Sequence, residues 1–263
     1  MARVVITGST RGLGFALANS FLETGDDVTI SGRNRKHLDE AMFRLSKYGE
    51  HVHSTVCDVK EWGDLFRLWS DASEKWGQID IWINNAGINQ PYENLWDIAP
   101  EAVENIFKTN LMATIYASQI VMQEMIKQGF GAIYNVEGFG SNGMQRKGLN
   151  LYGTTKRALT YFTDALAKEA RNTQVRIGIL SPGMMVTDFL KDGEGNILAR
   201  EETVKIFNIL GDKPETVAKF LVERIKQNPP NGSHIEWLTN TKAAMRFAKS
   251  RFIKRNLFED SKS

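Results

Sequence analysis

Cysteine is nearly absent from this 263-residue chain: Cys57 stands alone, so no disulfide can form within it. That suits a reducing compartment. Excess charge is absent too, since 33 Lys and Arg against 31 Asp and Glu leave a net +2. Bulk charge therefore argues for neither nucleic acid nor an acidic ligand. No apolar run is long enough to span a bilayer. No leader-like segment opens the sequence, because "MARVVITG" runs straight into a strand and a glycine turn. A cytoplasmic or peripheral membrane location is the expectation. Neither an internal repeat nor an interdomain linker interrupts the chain. With 42% apolar and 24% charged residues, it reads as one globular domain over 1–240, followed by a basic tail over 241–263.

Short apolar runs alternate with helical periodicity. "RVVITG", "DVTIS", "HVHSTVCDV", "IDIWINNAG", "GAIYNVEG" and "VRIGILSPG" read as strands, and "SHIEWL" as a further one. Between them the spacing predicts helices over 13–22, 35–48, 61–76, 101–127, 152–171 and 214–227. This alternation predicts an α/β fold, a doubly wound parallel sheet of Rossmann type. The polar, Gly-rich stretch 191–196 is a candidate mobile loop.

"TGSTRGLG" follows the first strand and opens the first helix, the context that a nucleotide-binding turn requires. Thr7, Gly8, Ser9, Arg11, Gly12, Leu13 and Gly14 are its candidate cofactor residues. The glycines permit a tight turn and close approach to a pyrophosphate, and the helix N-terminus offers free N–H groups. After the second strand, "ISGRNRK" lacks the acidic residue that commonly reads the ribose of NAD. Arg33 stands there instead, and Arg11 lies inside the turn. Two guanidinium groups favour a 2′-phosphate, hence NADPH. Asp58, with Val59 beside it, is placed to accept from an adenine amine. In "NNAG", Asn85, Ala86 and Gly87 would pass close under the cofactor.

"YGTTK" puts Tyr152 and Lys156 four residues apart, on one helix face. An ammonium near the hydroxyl would stabilise its phenolate. On its own this pair is common by chance. Together with "TGSTRGLG", "NNAG", Asn110 in "KTNLMA" and "SPGMMVTD", in that order, it makes residues 2 to about 238 resemble a short-chain dehydrogenase/reductase. The resemblance implies that Tyr152 is the general acid/base. Lys156 would lower its pKa and bind ribose, and Asn110 would hold a water in a proton relay. It also implies that Pro182, Gly183, Met185 and Thr187 meet the nicotinamide. A homodimer or homotetramer formed through helices 101–127 and 152–171 is implied as well.

That family places a serine 13 or 14 residues before the tyrosine. Here those positions are Phe139 and Gly138, and Ser141 is only eleven away. A narrower group, the chlorophyll b reductases, carries an acidic–Gly–x–Gly–Ser stretch instead, which "NVEGFGSNG" resembles. "ILGDKPETVAKFLVERI" and "IEWLTNTKAAMRF" resemble that group too. This makes Glu137, Gly138, Phe139 and Ser141 candidate substrate residues. Loss of a side chain at 138, with Gly140 and Gly143, would widen the site for a flat tetrapyrrole. Serine at 138 should then hamper a large aldehyde and spare a small one. A generic carbonyl or ketoacyl reductase and a non-catalytic NADPH-binding regulator stay open as alternatives.

Two further features stand apart. His51 and His53 alternate and could ligate a metal, but no third ligand accompanies them, so no metal site is expected. The tail "KAAMRFAKSRFIKRNLF" interleaves six basic residues with apolar ones. It could lie on an anionic membrane surface, cover a subunit interface or cap the core.

Overall fold

The computed structural model describes residues 1–186, 201–250, 252 and 254–258. Seven strands form one parallel sheet in the order β3-β2-β1-β4-β5-β6-β7. They are β1 (Arg3–Ile6), β2 (Asp27–Gly32), β3 (Val52–Val56), β4 (Ile81–Asn84), β5 (Gly131–Val136), β6 (Val175–Ser181) and β7 (Ser233–Glu236). The connecting helices are α1 (Gly12–Glu23), α2 (Arg35–Arg44), α3 (Trp62–Trp76), α4 (Pro100–Phe107), α5 (Ala113–Gln128), α6 (Asn150–Glu169), α7 (Glu201–Leu210), α8 (Pro214–Lys226) and α9 (Asn240–Lys249).

Side chains alternate across a strand, so β1 feeds two cores. Val4 and Ile6 pack with Leu17 and Phe21 of α1 and Leu221 of α8. Val5 points the other way, to Leu65 and Leu68 of α3 and Val121 of α5. Both faces being covered explains why the strands are continuously apolar rather than alternating. The chain winds outward from β1 to β3, then returns to set β4 beside β1. That reversal opens a crevice at the carboxyl ends of β1 and β4, where ligands bind in such sheets.

The predicted helix over 101–127 is interrupted. A π-helical turn, Lys108–Met112, separates α4 from α5. Apolar spacing stays helix-like on either side of such an insertion, so periodicity does not reveal it. Helix α7 was not anticipated. The stretch 191–196 lies outside the described residues, as does Thr187. The two histidines engage different neighbours: His51 Nδ1 is 2.8 Å from the Asp27 carboxylate, whereas His53 stands edge-on to Trp76 at 6.4 Å.

The basic tail is fastened down. Buried Asp212, just after α7, receives Arg246 at 2.7 Å, Arg255 at 2.9 Å and the Trp237 indole N–H at 2.6 Å. Arg255 also donates to the carbonyl of Ile209 at 3.2 Å. Leu257 N–H reaches Asn208 Oδ1 at 2.9 Å, and the Phe258 ring meets Phe207 at 6.4 Å. Two of the tail's basic side chains are thus spent inward. Met245, Phe247 and Phe252 remain exposed. No helix among the described residues is long and apolar enough to cross a membrane.

Candidate active site

A cavity of about 540 Å³ runs along the crevice. One end is the glycine turn. Gly8 and Gly12 adopt φ of 61° and 57°, the left-handed region that glycine tolerates. A Cβ at Gly8 would stand 2.8 Å from the Ala86 Cα, so the turn and the segment after β4 touch backbone to backbone. No side chain caps α1 and no acid sits in its first turn, which leaves its first N–H groups available. This donor set, with glycines that any Cβ would fill, fits a dinucleotide pyrophosphate.

Gly8, Arg11, Gly12, Leu13 and Gly14 line the cavity; Thr7 and Ser9 do not. Both hydroxyls are turned into the protein. Thr7 Oγ1 accepts from the N–H groups of Asn85 (3.0 Å) and Ala86 (3.1 Å). Ser9 Oγ donates to the Ile6 carbonyl at 2.7 Å and accepts from Ser31 N–H at 2.8 Å. They staple β1 to β2 and to the segment after β4. Asn85 lines the cavity, yet its amide donates to Thr7 O and Gly8 O at 3.0 and 2.9 Å, holding the turn shut.

Arg11 and Arg33 stand exposed at one end of the cavity, with Thr10, Asn34 and His37, which sequence reasoning missed. Neither guanidinium is engaged by a carboxylate among the described residues. Asn34 is the cap of α2, accepting from His37 N–H at 3.2 Å, which fixes the corner beside Arg33. Asp58 and Val59 line the adjoining wall with Cys57. The Asp58 carboxylate accepts from Lys60 N–H at 3.1 Å.

Tyr152 and Lys156 occupy the other end, on the first turns of α6. Gln90 Oε1 accepts the Tyr152 N–H at 2.8 Å and so sets the entry of that helix. Lys156 is buried, and its ammonium donates to the Val136 carbonyl at 3.0 Å, 5.7 Å from the Tyr152 ring centre. Burial lowers the Lys156 pKa to about 8, against the opposing pull of the Glu137 charge. Burial raises the pKa of Tyr152 above its ordinary value. Burial thus acts against the phenolate, while the Lys156 ammonium beside the ring acts for it.

Asn110 sits on the π-helical turn, fully buried. Its carbonyl oxygen accepts from Ile88 N–H at 2.8 Å, and its amide donates to Ile88 O at 2.9 Å. It thereby clamps the segment containing Gly87, where a Cβ would lie 3.5 Å from Asn110 Oδ1 and 3.8 Å from Lys156 Nζ. Pro182, Gly183, Met184 and Met185 complete the wall. The Asp212 carbonyl accepts from Val186 N–H at 3.2 Å and the Asp212 N–H donates to Met184 O at 3.0 Å, so the fastened tail braces this wall.

The serine-less loop is filled, not widened. A Cβ built on Gly138 would run into the Tyr152 hydroxyl and lie 3.3 Å from Cζ and 3.5 Å from Lys156 Cε. Glycine at 138 therefore makes room for the tyrosine itself. Gly140 would place a Cβ 2.5 Å from the Gly153 Cα, so the loop rests on the backbone of α6. Ser141 lies outside the cavity lining: its N–H donates to Gly138 O at 3.2 Å and its carbonyl accepts from Arg157 at 2.6 Å. Phe139 does line the cavity, as do Tyr92, Leu149, Met184 and Phe207, a largely apolar group that sequence reasoning did not collect. Glu137 reaches the lining too, but its carboxylate is taken by His234 and Thr160.

Known proteins resemble this chain over most of its length. The short chain dehydrogenase family model matches residues 2–196. A chloroplastic chlorophyll(ide) b reductase, NOL, of Arabidopsis thaliana is 37% identical over 251 residues, spanning 91% of this chain and 71% of its own. Its counterpart in Oryza sativa is 38% identical over 255 residues, spanning 92% and 73%. Among solved structures, a serine dehydrogenase complexed with NADP+ superposes with a TM-score of 0.79 at 25% identity, over 91% of this chain and 95% of that one. The chain belongs to the short-chain dehydrogenase family.

Proposed function

We propose that the protein uses NADPH to reduce the 7-formyl group of chlorophyll b, or of phytol-free chlorophyllide b, to a 7-hydroxymethyl group. The observation that carries this reading is the convergence of Tyr152 and Lys156 on a cavity that Phe139, Leu149 and Phe207 also line. Likeness to chlorophyll(ide) b reductases over nine-tenths of the chain supports the choice of aldehyde.

Bound NADPH supplies the hydride. Tyr152 would donate its proton to the carbonyl oxygen of the acceptor and regain one from solvent. Burial raises its pKa and so opposes release of the proton, and the Lys156 ammonium, 5.7 Å from the ring centre, is the charge that favours it. Lys156 places a positive charge beside the phenolate left behind. Asn110 and Gln90 position the two segments that face each other across the reaction, through Ile88 and the Tyr152 N–H. Phe139, Leu149 and Phe207 keep water from the acceptor.

Incubating the purified protein with NADPH and either pigment tests the reading, with chromatography for the 7-hydroxymethyl product. Reduction of small aldehydes with no pigment product would leave a generic carbonyl reductase. NADPH binding with no turnover of any aldehyde would leave a regulator.

Cofactor choice is separately testable. Arg33→Ala should weaken NADPH binding about ten- to hundredfold, the worth of one charge-assisted hydrogen bond, and barely change NADH binding. Titrating both cofactors by fluorescence checks this. Equal losses would remove Arg33 from the 2′-phosphate.

A further inference from the structure

Where β5 ends, a carboxylate is buried with no solvent to hold its charge. Glu137 is 6% exposed. Its backbone is fixed by donation from Glu137 N–H to Leu180 O at 3.0 Å. Its side chain collects donors from three elements: His234 Nε2 of β7 at 2.9 Å, Thr160 Oγ1 of α6 at 3.2 Å, and the Ser181 hydroxyl of β6. Thr160 lies one helical turn beyond Lys156, and its hydroxyl is also 3.1 Å from the Lys156 carbonyl oxygen. A buried carboxylate is costly unless donors and an opposite charge compensate it. The donors are these three, and the paired opposite charge is the His234 imidazole when protonated; the Lys156 ammonium sits next along the strand, on the carbonyl of Val136 at 3.0 Å. His234 closes the set from outside, with a side chain 48% exposed.

We propose that Glu137 and His234 are positioning residues for Lys156: the carboxylate keeps the lysine charged, and the histidine keeps the carboxylate ionised. The proposal rests on the reading of Tyr152 and Lys156 as the acid–base pair. The electrostatics run the same way. Burial alone would raise Glu137, but the bonds from His234 and Ser181 outweigh it and hold the carboxyl below its usual range. His234 is raised through its bond to Glu137, against burial, with Glu236 and Asp164 adding to the rise. Lys156, pulled down to about 8 by burial, is the group that Glu137 holds up. The lysine is therefore charged below about pH 8 and loses its charge as pH rises past that point. Removing the carboxylate should bring that loss to lower pH.

The test titrates Lys156 directly. Its side-chain carbon signal, assigned by its disappearance in Lys156→Arg, is followed by NMR against pH. The midpoint should fall by about one pH unit in Glu137→Gln. In His234→Ala it should fall in the same direction by less. His234→Gln retains a donor and should stay near the original midpoint. The alkaline limb of the turnover profile should shift with the signal. A midpoint unmoved in both Glu137→Gln and His234→Ala would overturn the proposal. Should Glu137→Gln not fold, the half-exposed His234→Ala decides alone. A shifted midpoint in a protein that reduces no aldehyde would uphold the charge coupling and sink the reductase reading instead.

Discussion

Replacing Tyr152 by phenylalanine should lower turnover by about 10²–10⁴-fold, the usual contribution of a positioned proton donor. The ring would keep its packing beside Lys156, 5.7 Å from the ammonium. The Gln90 bond to the backbone at 152 does not depend on the side chain. NADPH affinity should therefore hold, which separates loss of the proton from loss of the site. Single-turnover rates and a cofactor titration measure the two quantities. Turnover within a few-fold of the original would remove Tyr152 from the chemistry.

The second large effect concerns Gly138. Serine there cannot act as a simple restoration, because its Cβ would meet the Tyr152 hydroxyl before its own hydroxyl reached any substrate. Displacement of the acid by about 1 Å costs on the order of 10²-fold. Gly138→Ser should thus slow large and small aldehydes alike, replacing the size-dependent outcome that a widened slot implied. Gly138→Ala should be as harmful, since the obstruction begins at Cβ. Backbone strain is not the cause, for Gly138 is absent from the residues with positive φ. Combining Gly138→Ser with Tyr152→Phe removes the atom that the Cβ meets, so much of the loss in melting temperature should be recovered. Faster reduction of a small aldehyde by Gly138→Ser than by the original protein would sink this account.

Gly138 also marks where sequence reasoning stops. A missing side chain leaves either space or a close neighbour, and only packing distinguishes them. Thr7 and Ser9 show the same limit. Hydroxyls in a phosphate-binding turn look like donors to a ligand, yet backbone partners on β1, on β2 and just after β4 claim them first. Apart from Ile6, those partners lie 22 to 79 residues away. What did come through carries its signal locally. Strands buried on both faces are apolar without a break, as in Val4, Val5 and Ile6. Tyr152 and Lys156 share a face because helical spacing requires it. The π-helical turn around Asn110 was hidden, since apolar residues continue past it. The basic tail left a membrane surface, a subunit interface and a cap on the core open, because Asp212, the shared partner of Arg246 and Arg255, stands in a different segment of the chain.

That shared partner bears on the order in which the protein is made. Asp212 leaves the ribosome 25 residues ahead of Trp237 and 43 ahead of Arg255. Domains begin to fold as their leading residues emerge. The residues of the glycine turn, of the Tyr152–Lys156 pair and of six of the seven strands are therefore all made while Asp212 still lacks its ligands. During that interval the wall formed by Met184, Met185 and Phe207 has no brace. Synthesis thus delivers the phosphate-binding half first, and the enclosure around the acceptor is completed only when Arg255 arrives.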